Sequence, residues 1–327
     1  MNPFSYVRVQ SQSDAIAASV PGTKFIGGGT NLLDLMKGDI EQPHRLIDIN
    51  RLPLEKVEAI STGVRVGALA RNSDVAYNQL IRDRYPLLSQ AFLSGASPQL
   101  RNMATVGGNL MQRTRCYYFY DTALPCNKRQ PGSGCAAIQG YNRIHAILGA
   151  SDQCIATHPS DMCVAMLALD ATVRVSGDKG ERQIPIAEFH RLPGDTPQID
   201  TVLQPGELIT AVDLPNSPDV KHSHYLKVRD RASYAFALVS VASVLDIDSG
   251  GMIRAARVAL GGVAHKPWLA VEAEKILVGA KANEQTFRAA ADATVREAKP
   301  QKHNKFKVEM ARRAIVRSLT IATGGVS

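Results

Sequence analysis

Cys116, Cys126, Cys135, Cys154 and Cys163 are the only five cysteines in a chain of 327 residues, and all fall between positions 116 and 163. Such clustering needs a local cause. An odd number of thiols in a long chain does not read as a disulfide framework. Structural zinc sites usually carry close Cys-x-x-Cys pairs, and none is present. Four thiolates reached from widely spaced positions in a loop-rich segment suit a four-cysteine iron–sulfur cluster, whose larger core can be met from separate loops. Zinc and unligated thiols stay open as alternatives. Cys163 stands apart, because Met162-Cys163-Val164-Ala165-Met166-Leu167 reads as an apolar helix in which a thiol packs as a small hydrophobe. Arg113, Arg115, Lys128, Arg129 and Arg143 would offset the negative charge of a thiolate-ligated cluster, and ordinary surface charge explains them as well.

Two glycine segments offer a different chemistry. Gly27-Gly28-Gly29-Thr30-Asn31 follows an apolar strand and opens a helix, so bare backbone N–H groups there suit a pyrophosphate. The segment lacks the dinucleotide G-x-G-x-x-G pattern, since Leu32 takes the place of the third glycine, and it has no Walker lysine. Thr105-Val106-Gly107-Gly108-Asn109 is a second turn of the same kind, and two such turns can grip one elongated phosphate-bearing cofactor. His158-Pro159-Ser160-Asp161 supplies a helix N-cap whose polar side chains suit either capping or the hydroxyls of a cofactor. Lys227 and Arg229 are strand cations, suited to a redox ring or phosphate and equally to solvent.

These groups must be positioned by regular elements. A short helix over 13–18, a strand over 24–26, the glycine turn and a helix start, then a strand over 44–49, alternate as in an α/β domain. A hairpin is expected over 57–66, then two helices, one starting near Ser73 and one over 87–93. From Arg113 to about Gln153 periodicity fails, which marks an irregular insert. A helix over 161–169 follows, with strands at 172–175, 208–213 and 225–229. Pro215 to Asp219 is the best linker. Antiparallel strands at 237–246 and 252–261, and helices at 267–278, 284–299 and 305–322, make a smaller α+β domain. The expected domains are 1–218, with the insert at about 113–155, and 219–327.

With 45% hydrophobic and 21% charged residues the chain can bury a large core, so disorder is excluded as its main state. No apolar run is long enough to span a bilayer. The 38 basic and 30 acidic side chains leave a formal charge of +8. The densest basic group, Lys302 to Arg317, reads as an amphipathic helix with a solvated or subunit-docking face, and no nucleic-acid motif accompanies it. The N-terminus Met1-Asn2-Pro3-Phe4-Ser5-Tyr6 has no signal-peptide pattern.

Lys24 to Leu32, Ala104 to Leu110, Ser160-Asp161 and Leu260-Gly261-Gly262-Val263-Ala264, in this order, resemble the FAD-binding subunits of the molybdenum hydroxylases, the xanthine dehydrogenase and carbon monoxide dehydrogenase flavoprotein family. Arg115 to Phe119, Pro125 to Arg129, Pro131 to Cys135 and Cys154 to Asp161 resemble the branch that contains the flavin subunit of periplasmic aldehyde oxidoreductase. The resemblance implies a two-lobed FAD-binding domain of mixed α/β type, followed by a carbon monoxide dehydrogenase flavoprotein-like α+β domain. It places the pyrophosphate at Phe25, Ile26, Gly27, Gly28, Gly29, Thr30, Asn31 and Leu32 and at Thr105, Gly108 and Asn109. It places the flavin near Ala96, Ser97, Ser160, Asp161, Ile209 and Lys227. It makes Cys116, Cys126, Cys135 and Cys154 the ligands of a [4Fe-4S] cluster and leaves Cys163 in the core.

The same resemblance implies an electron-transfer subunit that does not itself oxidise substrate. Its partners would be a large molybdenum-cofactor subunit acting on an aldehyde and a small subunit with two [2Fe-2S] centres. The 4-hydroxybenzoyl-CoA reductase flavin subunit also carries a cluster insert, so a reductive partner chemistry stays open. A rival reading from the residues alone is a zinc-binding scaffold without catalysis, and another is a stand-alone FAD oxidase. The resemblance implies periplasmic residence by co-export with a signal-bearing partner, with the cytoplasm as the alternative.

Overall fold

A computed structural model describes residues 1–216 and 221–325. Three sheets follow one another along the chain. Strands β1 (Ser5–Arg8), β2 (Thr23–Ile26) and β3 (Arg45–Asp48) form a parallel sheet in the order β1-β3-β2, with helices Gln12–Ala18 and Leu32–Lys37 as the crossovers. Here the alternating α/β pattern holds. Strands β4 (Val57–Ile60), β5 (Gly63–Gly67), β6 (Thr172–Gly177), β7 (Gly180–Pro185) and β8 (Leu208–Pro215) form an antiparallel sheet in the order β4-β5-β8-β6-β7. The last sheet, also antiparallel, runs β12-β11-β10-β9, from β9 (Ser223–Val228), β10 (Val239–Ile247), β11 (Ile253–Gly261) and β12 (Trp268–Leu269). Helices Val271–Leu277, Glu284–Val295 and Phe306–Ala322 cover it, with Leu260, Phe287 and Ile315 among the buried side chains of that core.

The helix Asp161–Ala168 is buried at every position, which is why its sequence is apolar all round. It shares one core with the helix Pro86–Ser94 and with Val173, Val212, Ala242 and Ala259, so it packs against both antiparallel sheets. Its N-terminus is thereby fixed.

Several local expectations are corrected. The helix expected to run on from Ser73 is two, Asn72–Tyr77 and Gln79–Arg84: Asn78 leaves helical geometry and its side chain accepts from Leu80 N–H as the cap of the second. Gly107 and Gly108 do not form a free turn but lie in the first turns of the helix Val106–Leu110, capped by Thr105. Strand β7 was not expected, because its residues are exposed except for Ile184 and give no alternating signal. The helix expected from Pro267 begins at Val271, since Trp268 and Leu269 pair with β11. The helix from Glu284 stops at Val295. Of the expected linker, Ser217 to Asp219 lies outside the described residues.

The insert is irregular, as expected, with only the single-turn helices Tyr117–Tyr120 and Ala136–Gln139 and the bridges Cys126 to Cys135 and Ser151 to Cys154. Charge anchors it. Lys128, with a side chain only 1% exposed, donates to the Pro197 carbonyl at 2.6 Å and pairs with Asp200. Arg113 joins the same Asp200 at 2.9 Å to Glu41 at 2.7 Å. Burial alone would raise the Asp200 carboxyl, but Lys128 and Arg113 outweigh it and hold Asp200 well below the usual carboxylate range.

Candidate functional site

Strand β2 delivers the first glycine segment to the interior. The backbone at Gly28 approaches the carbonyl of Met103 so closely that a Cβ would stand 1.9 Å from that oxygen, and Gly29 has φ +72°. Only glycine satisfies both demands. Asn50 Nδ2 donates to the Gly27 carbonyl at 3.1 Å and to Asp48 Oδ1 at 2.7 Å, which ties the loop to the end of β3. Asn31 Oδ1 accepts from the Arg113 N–H at 2.9 Å, while Asn31 Nδ2 is buried with no partner. An unpaired buried amide donor is costly, so this atom suits a ligand acceptor such as phosphate oxygen.

The second segment is fixed by Thr105, whose hydroxyl accepts from Gly108 N–H at 3.2 Å. The two segments meet on a common wall. A cavity of about 240 Å³ is lined by the stretch Phe25 to Leu32 together with Thr105, Gly108 and Ile209. A larger cavity of about 650 Å³ is lined by Gly28 to Asn31, Gly108, Asn109, Ala96 and Asp161. Gly28, Gly29, Thr30, Asn31 and Gly108 line both, so the two are one trough with the glycine segments at its waist. Ala96, a non-glycine residue at φ +50°, holds a strained backbone on the wall of the larger half.

Four residues stand differently from expectation. Ile209 lines the smaller half, away from Ala96 and Asp161 with which it was grouped. Ser97 caps the helix Pro98–Arg101, accepting from Leu100 N–H at 3.3 Å. Ser160 lines an adjoining cavity of about 290 Å³ that also reaches Asp161. Lys227 does not line the trough. It sits behind Asp161, bonded to Asp161 Oδ2 at 2.8 Å and to the Ser94 carbonyl at 3.0 Å, both charged side chains being almost fully buried. Tyr225 donates to Asp161 Oδ1 at 2.6 Å. Burial and the Asp161 charge push the Tyr225 phenol well above its usual range, so it remains a donor.

Cys116, Cys126, Cys135 and Cys154 line one small cavity in the insert, a convergence that their spacing left open. Burial pushes the thiols up, Cys116 to about 12 and Cys154 to about 11, and raises Cys135 too. The Ala156 N–H donates to Cys154 Sγ at 3.5 Å. Donors of this kind favour the thiolate, the form that ligates metal. His145 Nε2 lies 3.1 Å from Cys116 Sγ.

Residues 2–217 match the family model of the FAD-binding domain in molybdopterin dehydrogenase, and residues 224–326 match that of the carbon monoxide dehydrogenase flavoprotein C-terminal domain. The chain belongs to the FAD-binding subunits of the molybdenum hydroxylases. It is 53% identical over 326 residues to the aldehyde oxidoreductase FAD-binding subunit PaoB of Escherichia coli, covering 98% of this chain and 99% of that one. It is 28% identical over 321 residues to the glyceraldehyde dehydrogenase medium chain of Sulfolobus acidocaldarius, covering 97% and 96%. Among solved structures, carbon monoxide dehydrogenase from Hydrogenophaga pseudoflava lacking the Mo-pyranopterin moiety matches with a TM-score of 0.78 and 25% identity, covering 99% of this chain and 98% of that one. The two-domain α/β plus α+β fold implied by the resemblance is the fold of this molybdenum hydroxylase subunit.

In this family member the trough also recruits residues that the sequence did not single out for it. Arg113 and Met111 line the smaller half, and Arg115, Tyr234 and Phe236 line the larger. Arg115 donates to Tyr120 Oη at 3.0 Å, and its guanidinium lies 5.0 Å from the Phe236 ring centre. For Arg113, Arg115, Tyr234 and Phe236 the only signal was a cation or an aromatic in a segment without periodicity, and Met111 gave none. No described helix is long and apolar enough to cross a membrane.

Proposed function

We propose that this chain is the FAD-carrying electron-transfer subunit of a molybdenum-dependent aldehyde oxidoreductase, and that it also holds a [4Fe-4S] cluster. The observation that carries the reading is the shared wall of the trough, where Gly28 to Asn31 and Gly108 border both halves. A dinucleotide needs this order, a diphosphate grip between two ring compartments. The backbone of the two glycine segments and the unpartnered Asn31 Nδ2 would hold the diphosphate. Phe25, Ile26, Leu32 and Ile209 give the smaller half its apolar lining, suited to the adenosine. Ala96 and Asp161 border the half that would take the flavin, and Tyr225 and Lys227 keep the Asp161 carboxylate fixed there. When bound, FAD supplies storage for two electrons delivered one at a time. The identity to a relative named as an aldehyde oxidoreductase subunit supports the substrate class.

Cys116, Cys126, Cys135 and Cys154 would ligate the cluster. The four side chains line one small cavity of the insert, which supports a shared ligand set. A cluster reached from four loop positions without a close Cys-x-x-Cys pair suits a multi-iron core, and the structural role of a staple for the irregular insert suits its position. The proposed partners are a large subunit with the molybdenum cofactor and a small one with two [2Fe-2S] centres. Periplasmic residence by co-export with a signal-bearing partner belongs to the same proposal.

The test is a flavin, iron and zinc analysis of the natively purified chain. One FAD and four irons per polypeptide are expected, with no aldehyde oxidation until the partner subunits are added. A colourless chain that takes up no FAD overturns the reading; zinc in place of iron overturns the cluster alone.

A further inference from the structure

We propose a metal site separate from both cofactor sites: His158, Cys163 and His190 bind one divalent ion of the zinc type at the base of the helix Asp161–Ala168. The ligands come from three elements, the segment leaving the insert, the buried helix, and the turn after the helix Ile186–Phe189. One ligand atom of each lies within 4.8 Å of the other two. Tetrahedral zinc, with bonds of about 2.3 Å to sulfur and 2.0–2.1 Å to nitrogen, sets ligand separations near 3.4–3.6 Å. Closing the triad therefore takes side-chain shifts of about an ångström.

The ring nitrogens provide an independent observation. His190 donates from Nε2 to the Leu110 carbonyl at 2.9 Å, which leaves the lone pair on Nδ1, and Nδ1 is buried without a partner. A carbonyl bond of this kind is what fixes the tautomer of a metal-bound histidine. His158 Nε2 is likewise buried and unpartnered, and its ring centre stands 4.3 Å from that of His190. Its Nδ1 has only a 3.4 Å contact from Ser160 N–H, which ligation through Nε2 would exchange for a proton on Nδ1. Two unpaired ring nitrogens side by side in a core each cost about 1–3 kcal/mol, so the arrangement calls for an occupant. Among the described residues two further rings have an unpartnered buried nitrogen, His265, whose Nδ1 bonds the Arg191 carbonyl at 3.0 Å, and His145, whose Nε2 lies against Cys116 Sγ.

One thiol and two imidazoles form a borderline donor set that suits zinc over calcium or magnesium. On binding, Cys163 gives up its proton to solvent and its sulfur takes the metal bond, with no change of oxidation state. The ion would pin the exit of the insert to the buried helix, away from the trough lining.

The full chain, stripped with chelator and reloaded with ¹¹³Cd²⁺, tests the site by cadmium NMR. A resonance in the range of one thiolate and two nitrogens is expected, well resolved from any four-thiolate signal of the insert. In equilibrium dialysis with zinc alone, His190→Gln and Cys163→Val should each weaken this binding at least about 100-fold, with FAD uptake by His190→Gln unchanged. Absence of that resonance in the unmodified chain overturns the proposal, whether or not the variants fold. Unaltered zinc affinity in His190→Gln overturns it too, and the rings then share a buried water.

Discussion

Ser160 donates its hydroxyl to Asn109 Oδ1 at 2.7 Å, and Ser160 Oγ in turn accepts from Cys163 N–H at 3.1 Å. One side chain thus caps the buried helix and ties it to the second glycine segment. Replacing Ser160 by Ala should cost about 1–2 kcal/mol, the worth of an N-cap plus one buried hydrogen bond. Ser160→Thr should recover most of it. Urea unfolding of the three proteins measures the difference, and equal midpoints for Ser160→Ala and the parent would refute the double role.

At Gly28 the demand is steric. A methyl group there would stand 1.9 Å from the Met103 carbonyl oxygen, on backbone that cannot swing aside. Gly28→Ala should lose FAD binding and destabilise the chain by about 3 kcal/mol or more, the upper range for forced overpacking. Gly132 has φ +83° but open space around its Cβ direction, so Gly132→Ala should cost only about 1 kcal/mol of backbone strain. Flavin fluorescence quenching together with thermal melting separates the two cases.

Acid should loosen the first glycine segment through Asp48. Burial favours its protonated form, yet bonds from Tyr6, the Asn50 N–H and Arg8 prevail and hold the carboxyl down at about 2. Because the folded value lies below the unfolded one, its stabilisation is complete above about pH 4 and is lost as pH falls through 2. The full contribution is about 2 kcal/mol. Asp48→Asn should be less stable than the parent by that amount at pH 7, and the gap should close towards pH 2. A gap that does not change with pH would exclude the carboxylate as its source.

Cys126→Ser removes one of the four sulfurs around the insert cavity. Iron content and visible absorption beyond that of flavin should both fall sharply, and limited proteolysis should cut within 113–155. Iron retained at the parent level would count against Cys126 as a ligand.

Much of this was legible because the residues declare their geometry. Glycine at 28 and 29 marked a close approach and a left-handed turn, and the apolar run Met162 to Leu167 marked a helix buried on all sides. The cysteines announced a site, but their convergence could not be read from spacing, since it depends on loops held by Lys128 and Asp200 across 72 positions of sequence. Edge strand β7 was silent for the opposite reason: burying only Ile184, it has no periodic face to display. Lys227 was legible as a site cation but not as a supporting one, because strand alternation does not say which carboxylate a side chain meets.

That supporting role leads to a separate outcome. Lys227 and Asp161 are 3% and 8% exposed at the side chain, and their partner atoms lie 2.8 Å apart. Removing one charge of such a pair strands the other in the core, at a cost of about 3–5 kcal/mol, whereas removing both avoids that penalty. Lys227→Met should therefore destabilise strongly and weaken FAD binding by freeing the Asp161 carboxylate. The double variant Asp161→Asn with Lys227→Met should regain most of the stability, because Tyr225 can still donate to the amide oxygen, but not the FAD affinity, which needs the carboxylate at the trough wall. A double-mutant cycle on unfolding free energy and FAD affinity measures both; additive losses in stability would show that the two side chains do not act as a pair.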